Sequence, residues 1–132
     1  MKYEYQTFEM VRERWDFIRF GLSRILRKSP EPYIPEDVYT NLSNGKAFLW
    51  LVLADNDTPE GFFVLERNGD TCHIWCAWAV VPNLLEDGVA HIETLAREFG
   101  AKKLTFDTNR VGWVKVAKQL GFIPRTWVKE LR

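Results

Sequence analysis

One almost unbroken apolar run, Thr71–Val81, constrains the fold of this 132-residue chain more than any other stretch. The run follows a tight-turn signal, Asn68-Gly69, and stops at Pro82. A strand that is apolar on both faces is buried on both, as the central strand of a sheet covered by helices. A helical pattern over 84–99 and a short strand at 103–107 follow it, so we expect a right-handed parallel β-α-β crossover.

Helical periodicity dominates the first third of the chain. Apolar residues recur every three or four positions over 8–26, which predicts one long helix capped by Thr7 and ending near Lys28. Prolines follow at once and prevent the helix from continuing. The last of them, Pro35, has the features of the first residue of a second helix, and Gly45 suits its C-terminal turn.

The rest of the pattern completes a single domain over residues 1–132. Further strands are predicted at Met1–Tyr5, Ala47–Leu53, Gly61–Glu66 and Thr126–Leu131, and a fourth helix at Gly112–Leu120. The expected order is β-α-α-β-β-β-α-β-α-β. This order is typical of an α/β (α+β) domain with a mixed central sheet flanked by four helices.

Charge and hydropathy argue against two classes of partner. The chain has 18 acidic residues against 18 Lys and Arg, so its formal net charge is zero and nothing attracts it broadly to nucleic acid or membranes. No apolar run reaches the ~20 residues that cross a bilayer. The N-terminus lacks the apolar block of a signal peptide, and we therefore expect a cytoplasmic protein.

The two cysteines predict neither a disulfide nor a metal site. Cys72 and Cys76 are four positions apart in a strand, which places their Cα atoms ~13 Å apart. A disulfide needs less than ~7 Å, so both thiols should be free. The two histidines and two cysteines have no zinc-binding spacing, and we predict no metal.

A recognisable pattern occupies the C-terminal third. The strand Lys103–Asp107 leads into a short helix that ends in Leu120-Gly121-Phe122. This segment and the element order before it resemble the GCN5-related N-acetyltransferase (GNAT) superfamily over nearly the whole chain. The chain also resembles small phage-encoded acetyltransferase-like proteins at Pro35–Val38, His73–Trp75 and Gly112-Trp113, which would place it in a host cytoplasm or a virion.

The resemblance implies a site for acetyl-CoA. In this fold a bulge splays the end of the fourth strand, whose free backbone groups pair with the pantetheine amides and polarise the acetyl carbonyl, here through the N–H of Val80 or Val81. The next helix N-terminus binds the pyrophosphate. The cofactor contacts implied are Ala79, Val80, Val81, Asn83, Gly88, Asn109 and Arg110.

Two registers remain open for the pyrophosphate segment. In one, Gly88 and Ala90 take the small positions of the family signature, but Leu85 replaces its Gln or Arg and two carboxylates lie beside the phosphates. In the other, the helix starts at Asn83 and Gly88 lies inside it, where a glycine permits close packing.

The family's usual proton donor is replaced. Laying Leu120-Gly121-Phe122 on the family's ending puts Ala117 where a Tyr normally protonates the departing CoA thiolate. No tyrosine follows Tyr39 in the chain.

Three other residues are candidates for catalysis. Asp107 ends a parallel strand, where it could orient an amine, act as a base or cap the next segment. Strict alternation puts Cys72, Ile74, Cys76 and Trp78 on one face of the central strand, so Cys76 could act as a proton donor or nucleophile near the splayed end, or be a buried structural thiol. Glu66, at the end of another strand, is a further general-base candidate.

Two functions follow from these observations. The first is an acetyltransferase-like protein that transfers an acetyl group from acetyl-CoA to an amine on a small molecule or a protein. The alternative is a non-catalytic protein that uses the same fold to bind a protein partner, such as a phage particle component or a host-directed binding factor.

Overall fold

The computed structural model describes residues 1–81, 84–108 and 112–131. Within these ranges the strands are β1 (Lys2–Gln6), β2 (Ala47–Leu53), β3 (Pro59–Asn68), β4 (Thr71–Ala79) and β5 (Lys103–Phe106). The helices are α1 (Phe8–Glu13), α2 (Trp15–Lys28), α3 (Pro35–Ser43), α4 (Leu84–Glu98) and α5 (Gly112–Gln119). None of these helices is long and apolar enough to span a bilayer.

The strands form one sheet in chain order, β1-β2-β3-β4-β5. All neighbours are antiparallel except β4 and β5, which run parallel and are joined through α4. The expected mixed sheet and the parallel pairing after the long apolar strand are therefore confirmed.

Local sequence signals mark the two ends of α3, as predicted. Pro35 begins the helix, and the Asp37 carboxylate accepts a hydrogen bond of 3.0 Å from the Ile34 N–H, which satisfies a donor at the helix start. Gly45 follows the helix with φ of 77°, a left-handed conformation that costs glycine little.

Two apolar cores lie on opposite faces of the sheet. Because β2 alternates along its length, Leu49 and Leu51 point into one core while Trp50 and Val52 point into the other. The core under α1, α2 and α3 includes Ile18, Leu22, Val38, Phe62 and Val64. The core under α4 includes Phe63, Leu65, Cys72, Ile92 and Ala96.

A β-bulge at Trp75 interrupts β4. Val64 of β3 pairs with Cys76, whereas the next residue, Leu65, pairs with Ile74, so Trp75 is an extra residue on β4. A bulge bends its strand and shifts the alternation of side chains by one position.

The bulge overturns the predicted distribution of side chains on β4. Cys72 and Ile74 face α4, whereas Cys76 and Trp78 face the core under α2 and α3. The expectation that all four share one face is wrong, because it assumed a strand without an inserted residue. Both cysteines are free and buried.

The predicted first helix is divided in two at Arg14. The backbone of this residue leaves the helical region, with φ of −102° and ψ of 11°, and it separates α1 from α2. Phe8 of α1 and Trp15 of α2 both pack edge-on against Tyr39 of α3, with ring centroids 5.2 Å and 4.8 Å away. The described ranges therefore contain five helices, not four.

The predicted strand at Thr126–Leu131 is absent. The residues from Ile123 to Leu131 form no helix or strand, and Trp127 is 95% exposed. A segment with strand propensity forms a strand only when it pairs with a neighbouring strand. In the described sheet β5 pairs with β4, and residues 126–131 pair with neither.

Candidate functional site

The open edge of β4 is the main feature of the site. β5 pairs only with Thr71–Ile74, while β4 continues to Ala79. No other strand in the described ranges covers that edge beyond Ile74. The Val80 N–H donates to the Glu60 carbonyl of β3 at 2.8 Å.

The direction of that hydrogen bond shows which backbone groups of β4 point toward β3 and which point away from it. Because backbone groups alternate between the two sides of a strand, the N–H and C=O groups of Ala77 and Ala79 point away from β3. They therefore face the open edge.

A cavity of about 470 Å³ fills the gap beside this edge. Its volume falls within the roughly 300–1,000 Å³ typical of small-molecule sites. The walls come from β4, the loop between α2 and α3, α4, and the segment formed by β5 and α5. Residues from both faces of the sheet contribute, so the cavity passes through the gap between β4 and β5. We call it the cleft.

Tyr33 and Cys76 form a pair on the cleft wall beneath α2. The Tyr33 hydroxyl interacts with the Cys76 thiol, and its ring packs edge-on against Trp75 at 5.4 Å between centroids. Burial raises the pKa of Tyr33, and burial also raises the pKa of Cys76 to about 12. Both groups therefore keep their protons at neutral pH.

The loop that carries Tyr33 is anchored on both sides. Ser29 is buried, its N–H donates to the Ile25 carbonyl at 3.1 Å, and its hydroxyl donates to Glu31 at 3.4 Å. On the other side, Pro35 begins α3. Sequence reasoning did not identify Tyr33 as a site residue, because its contact joins two elements far apart in the chain.

The wall formed by α4 resolves the two registers proposed for Gly88. The helix begins at Leu84 and runs to Glu98, so Gly88 lies inside it, as the second register requires. A Cβ atom at Gly88 would come no nearer than 3.8 Å to Tyr3, and close packing does not explain the glycine. The Tyr3 ring stacks on His91 at 4.1 Å, and both Tyr3 and Gly88 line the cleft.

Two of the predicted catalytic residues, Asp107 and Glu66, flank His73. Asp107 lines the cleft and lies 3.7 Å from Nε2 of His73, whose Nδ1 is 2.8 Å from the Thr105 hydroxyl. Glu66 pairs with His73 across β3 and β4 but lies outside the cleft wall, and burial raises its pKa. Within the described part of the chain, no group of three His, Cys, Asp or Glu side chains could hold a metal ion.

The predicted cofactor contacts divide into three groups. Ala79, Val81 and Gly88 line the cleft. The Val80 N–H is bonded to Glu60, which corrects the expectation that it would polarise an acetyl carbonyl. The remaining predicted contacts lie outside the described residues: Asn83, Asn109 and Arg110.

The wall formed by α5 supplies no titratable proton donor among its described residues. It consists of Gly112, Trp113 and Val116 of the helix and Leu120 directly after it, and Ala117 does not reach the cleft. Trp113 and Phe122 both pack edge-on against Phe106 of β5, with centroids 5.9 Å and 4.9 Å away, which closes this side of the cleft with rings.

Comparison with known proteins identifies the fold. The sequence matches no protein-family model, and no curated protein is significantly similar to it. A probable acetyltransferase superposes with a TM-score of 0.73 at 19% identity, over 100% of this chain and 96% of the other. Ribosomal-protein-alanine N-acetyltransferase from Brucella melitensis biovar Abortus 2308 gives 0.71 at 12% identity, over 100% and 99%.

A third neighbour has been solved with a ligand. It is the aminoglycoside N-acetyltransferase AAC(6')-Iy in complex with CoA, which superposes with a TM-score of 0.70 at 13% identity, over 99% of this chain and 93% of the other. At these identities the likeness concerns the fold, and the chain has the fold of the GNAT acetyltransferases.

Proposed function

We propose that this protein is an N-acetyltransferase that binds acetyl-CoA in the cleft and transfers the acetyl group to an amine. The observation that carries the proposal is the free edge of β4, where the backbone groups of Ala77 and Ala79 face a cavity of about 470 Å³. The pantetheine arm of CoA contains two amides, which can pair with such an edge like an added strand. The complex of a structural neighbour with CoA supports the choice of cofactor.

The chemistry requires few groups from the protein. The amine nitrogen attacks the thioester carbonyl carbon, the carbonyl oxygen becomes negative, and the C–S bond then breaks. In our proposal the N–H of Ala79 or Val81 donates to that oxygen, since the Val80 N–H is already bonded. Asn83, Asn109 and Arg110 remain predicted contacts for the phosphates.

The acceptor is expected to approach from the side of the sheet that α2 and α3 cover. Among the described residues, Glu31 and Asp107 place carboxylates on the cleft wall, and Lys28 places a cation on the wall beneath α2. Carboxylates at the mouth of a cleft attract a protonated amine. We infer that the acceptor is an amine of a small molecule or of a protein.

The alternative is a protein that binds a partner without catalysis. Two observations favour it: the α5 wall of the cleft offers no titratable donor among its described residues, and large apolar side chains are exposed near the C-terminus. These side chains are Ile123, Trp127, Val128 and Leu131.

Titration calorimetry with acetyl-CoA separates the two functions. We expect the wild-type protein to bind one acetyl-CoA. Ala79→Trp, which fills the cleft, should weaken binding at least about tenfold. Ala90→Trp makes the same change on an exposed position of α4 and should bind like the wild type. Absence of wild-type binding at millimolar acetyl-CoA would overturn the enzymatic proposal and favour the partner-binding alternative.

A further inference from the structure

We propose that Tyr33 donates the proton that the CoA sulfur receives when the C–S bond breaks. This inference rests on the proposed acetyl transfer. It concerns the one step for which the family's usual donor is replaced by Ala117. Tyr33 belongs to the loop between α2 and α3, far from α5 in the chain.

Position is the first argument. The Tyr33 hydroxyl contacts Cys76, the residue immediately before Ala77, whose backbone faces the open edge of β4. The hydroxyl therefore lies beside the part of β4 along which the pantetheine arm would run. Its ring is held by Trp75, so the hydroxyl is aimed before any ligand arrives.

The other described cleft residues that can carry a proton fit less well, and Lys28 at the end of α2 is exposed to solvent. Tyr3 is on the α4 side of the sheet, where its ring stacks on His91. Asp107 lies 3.7 Å from His73, and its side chain is 81% exposed. The Cys76 thiol is only 3% exposed and is itself in contact with the Tyr33 hydroxyl.

Protonation is the second argument. Burial keeps the phenol protonated throughout the neutral range, so Tyr33 enters the step carrying the proton that it donates. In the proposed step the amine nitrogen bonds to the carbonyl carbon, and the C–S electron pair moves to sulfur. Tyr33 gives its proton to that sulfur, and the phenolate takes up the proton that the amine nitrogen loses. One amine and one acetyl-CoA yield one amide and one CoA thiol.

The pKa of the CoA thiol in the complex tests this role without an acceptor. A hydroxyl that donates to the sulfur stabilises the thiolate, so Tyr33→Phe should raise the pKa of the bound thiol by about one unit. The probe is CoA itself, and the readout is the ultraviolet absorbance of its thiolate against pH, with the spectrum of the same protein alone subtracted. Tyr5→Phe removes the same hydroxyl from an exposed side chain of β1 that does not line the cleft, and it should leave the pKa unchanged.

A second variant keeps the test decisive if Tyr33→Phe does not fold. Cys76→Ala removes the partner of Tyr33 but leaves its hydroxyl, so the pKa of the bound thiol should stay constant or fall. A rise in Cys76→Ala would make Cys76 the donor and overturn the proposal. An unchanged pKa in a folded Tyr33→Phe would also overturn it while leaving acetyl-CoA binding intact. Failure of wild-type protein to bind CoA would instead overturn the proposed function itself.

Discussion

Buried ionisable side chains determine how this protein responds to alkaline pH. Burial raises the pKa of Cys76 from 9.0 to about 12, and it also raises the pKa of Tyr33. The unfolded chain loses the Cys76 proton near pH 9, whereas the folded chain keeps it. The stability that this difference supplies is complete below pH 9 and is lost as pH rises toward 12.

Denaturation at several pH values tests this linkage. We expect the free energy of unfolding to fall above pH 9, and Cys76 to contribute a slope of up to about 1.4 kcal/mol per pH unit. Cys76→Ala should reduce that slope, although it also lowers stability at pH 7 by leaving a small cavity. Equal slopes in the variant and the wild type would show that Cys76 is not buried as described.

Two helical glycines should respond oppositely to the same substitution. A Cβ atom at Gly21 of α2 would collide with the rings of Phe62 and Trp78, whereas one at Gly88 of α4 meets only Tyr3 at 3.8 Å. Gly21→Ala should therefore cost about 1–3 kcal/mol. Gly88→Ala should be neutral or stabilise by up to about 1 kcal/mol, because alanine favours the helix. Urea denaturation compares them, and equal losses would refute this account of α2 packing.

The elements that the sequence predicts well are those whose signals are local. Ala47–Leu53 forms a strand with the expected bounds because its apolar residues pack on both faces. Pro35 and Gly45 mark the two ends of α3 through backbone restrictions of their own. No partner is needed to recognise either pattern.

The sequence does not predict features that depend on contact with a distant part of the chain. The bulge at Trp75 is defined by the pairing of β4 with β3, so no sequence pattern within β4 predicts it. The contact between Tyr33 and Cys76 depends on that bulge, since strict alternation grouped Cys76 with Cys72. The open edge was expected at Ala79–Val81 from family resemblance, but it begins after Ile74.

Substitutions in the C-terminal segment test whether residues 126–131 form a strand. Phe122 packs edge-on against Phe106 at 4.9 Å, whereas the side chain of Trp127 is 95% exposed. We expect Phe122→Ala to cost about 1–2 kcal/mol and Trp127→Ala less than about 0.5 kcal/mol. Thermal unfolding measures both. A large loss in Trp127→Ala would indicate that 126–131 is a paired strand after all.

The first turn of α4 should oppose phosphate binding. Glu86 lines the cleft near the helix N-terminus, where backbone N–H groups would meet the pyrophosphate. Removing its charge with Glu86→Gln should tighten acetyl-CoA binding several-fold at low salt, and less at high salt. Glu98→Gln, at the other end of α4, is the matched control. Calorimetry that found no gain in Glu86→Gln would place the phosphates away from this turn.

At the scale of the whole molecule, the sheet and its two cores hold one strand edge open. β4 is fixed by β3 along its length and packed from both faces, and β5 covers only its first half. The backbone groups left over at the open edge cost free energy when buried without partners, and a ligand with amides satisfies them. We therefore expect the cleft to be the place where this fold binds a ligand that contains amides.

Hydrogen exchange at the amides of β4 tests this account most directly. Acetyl-CoA should slow exchange at Ala77 and Ala79, whose N–H groups face the open edge, and leave Val80 unchanged because its N–H already donates to Glu60. The comparison is made by NMR with and without saturating acetyl-CoA. Within β4, protection confined to Ala77 and Ala79 is the predicted result. Binding that leaves both amides unprotected would contradict the claim that the cofactor pairs with this strand.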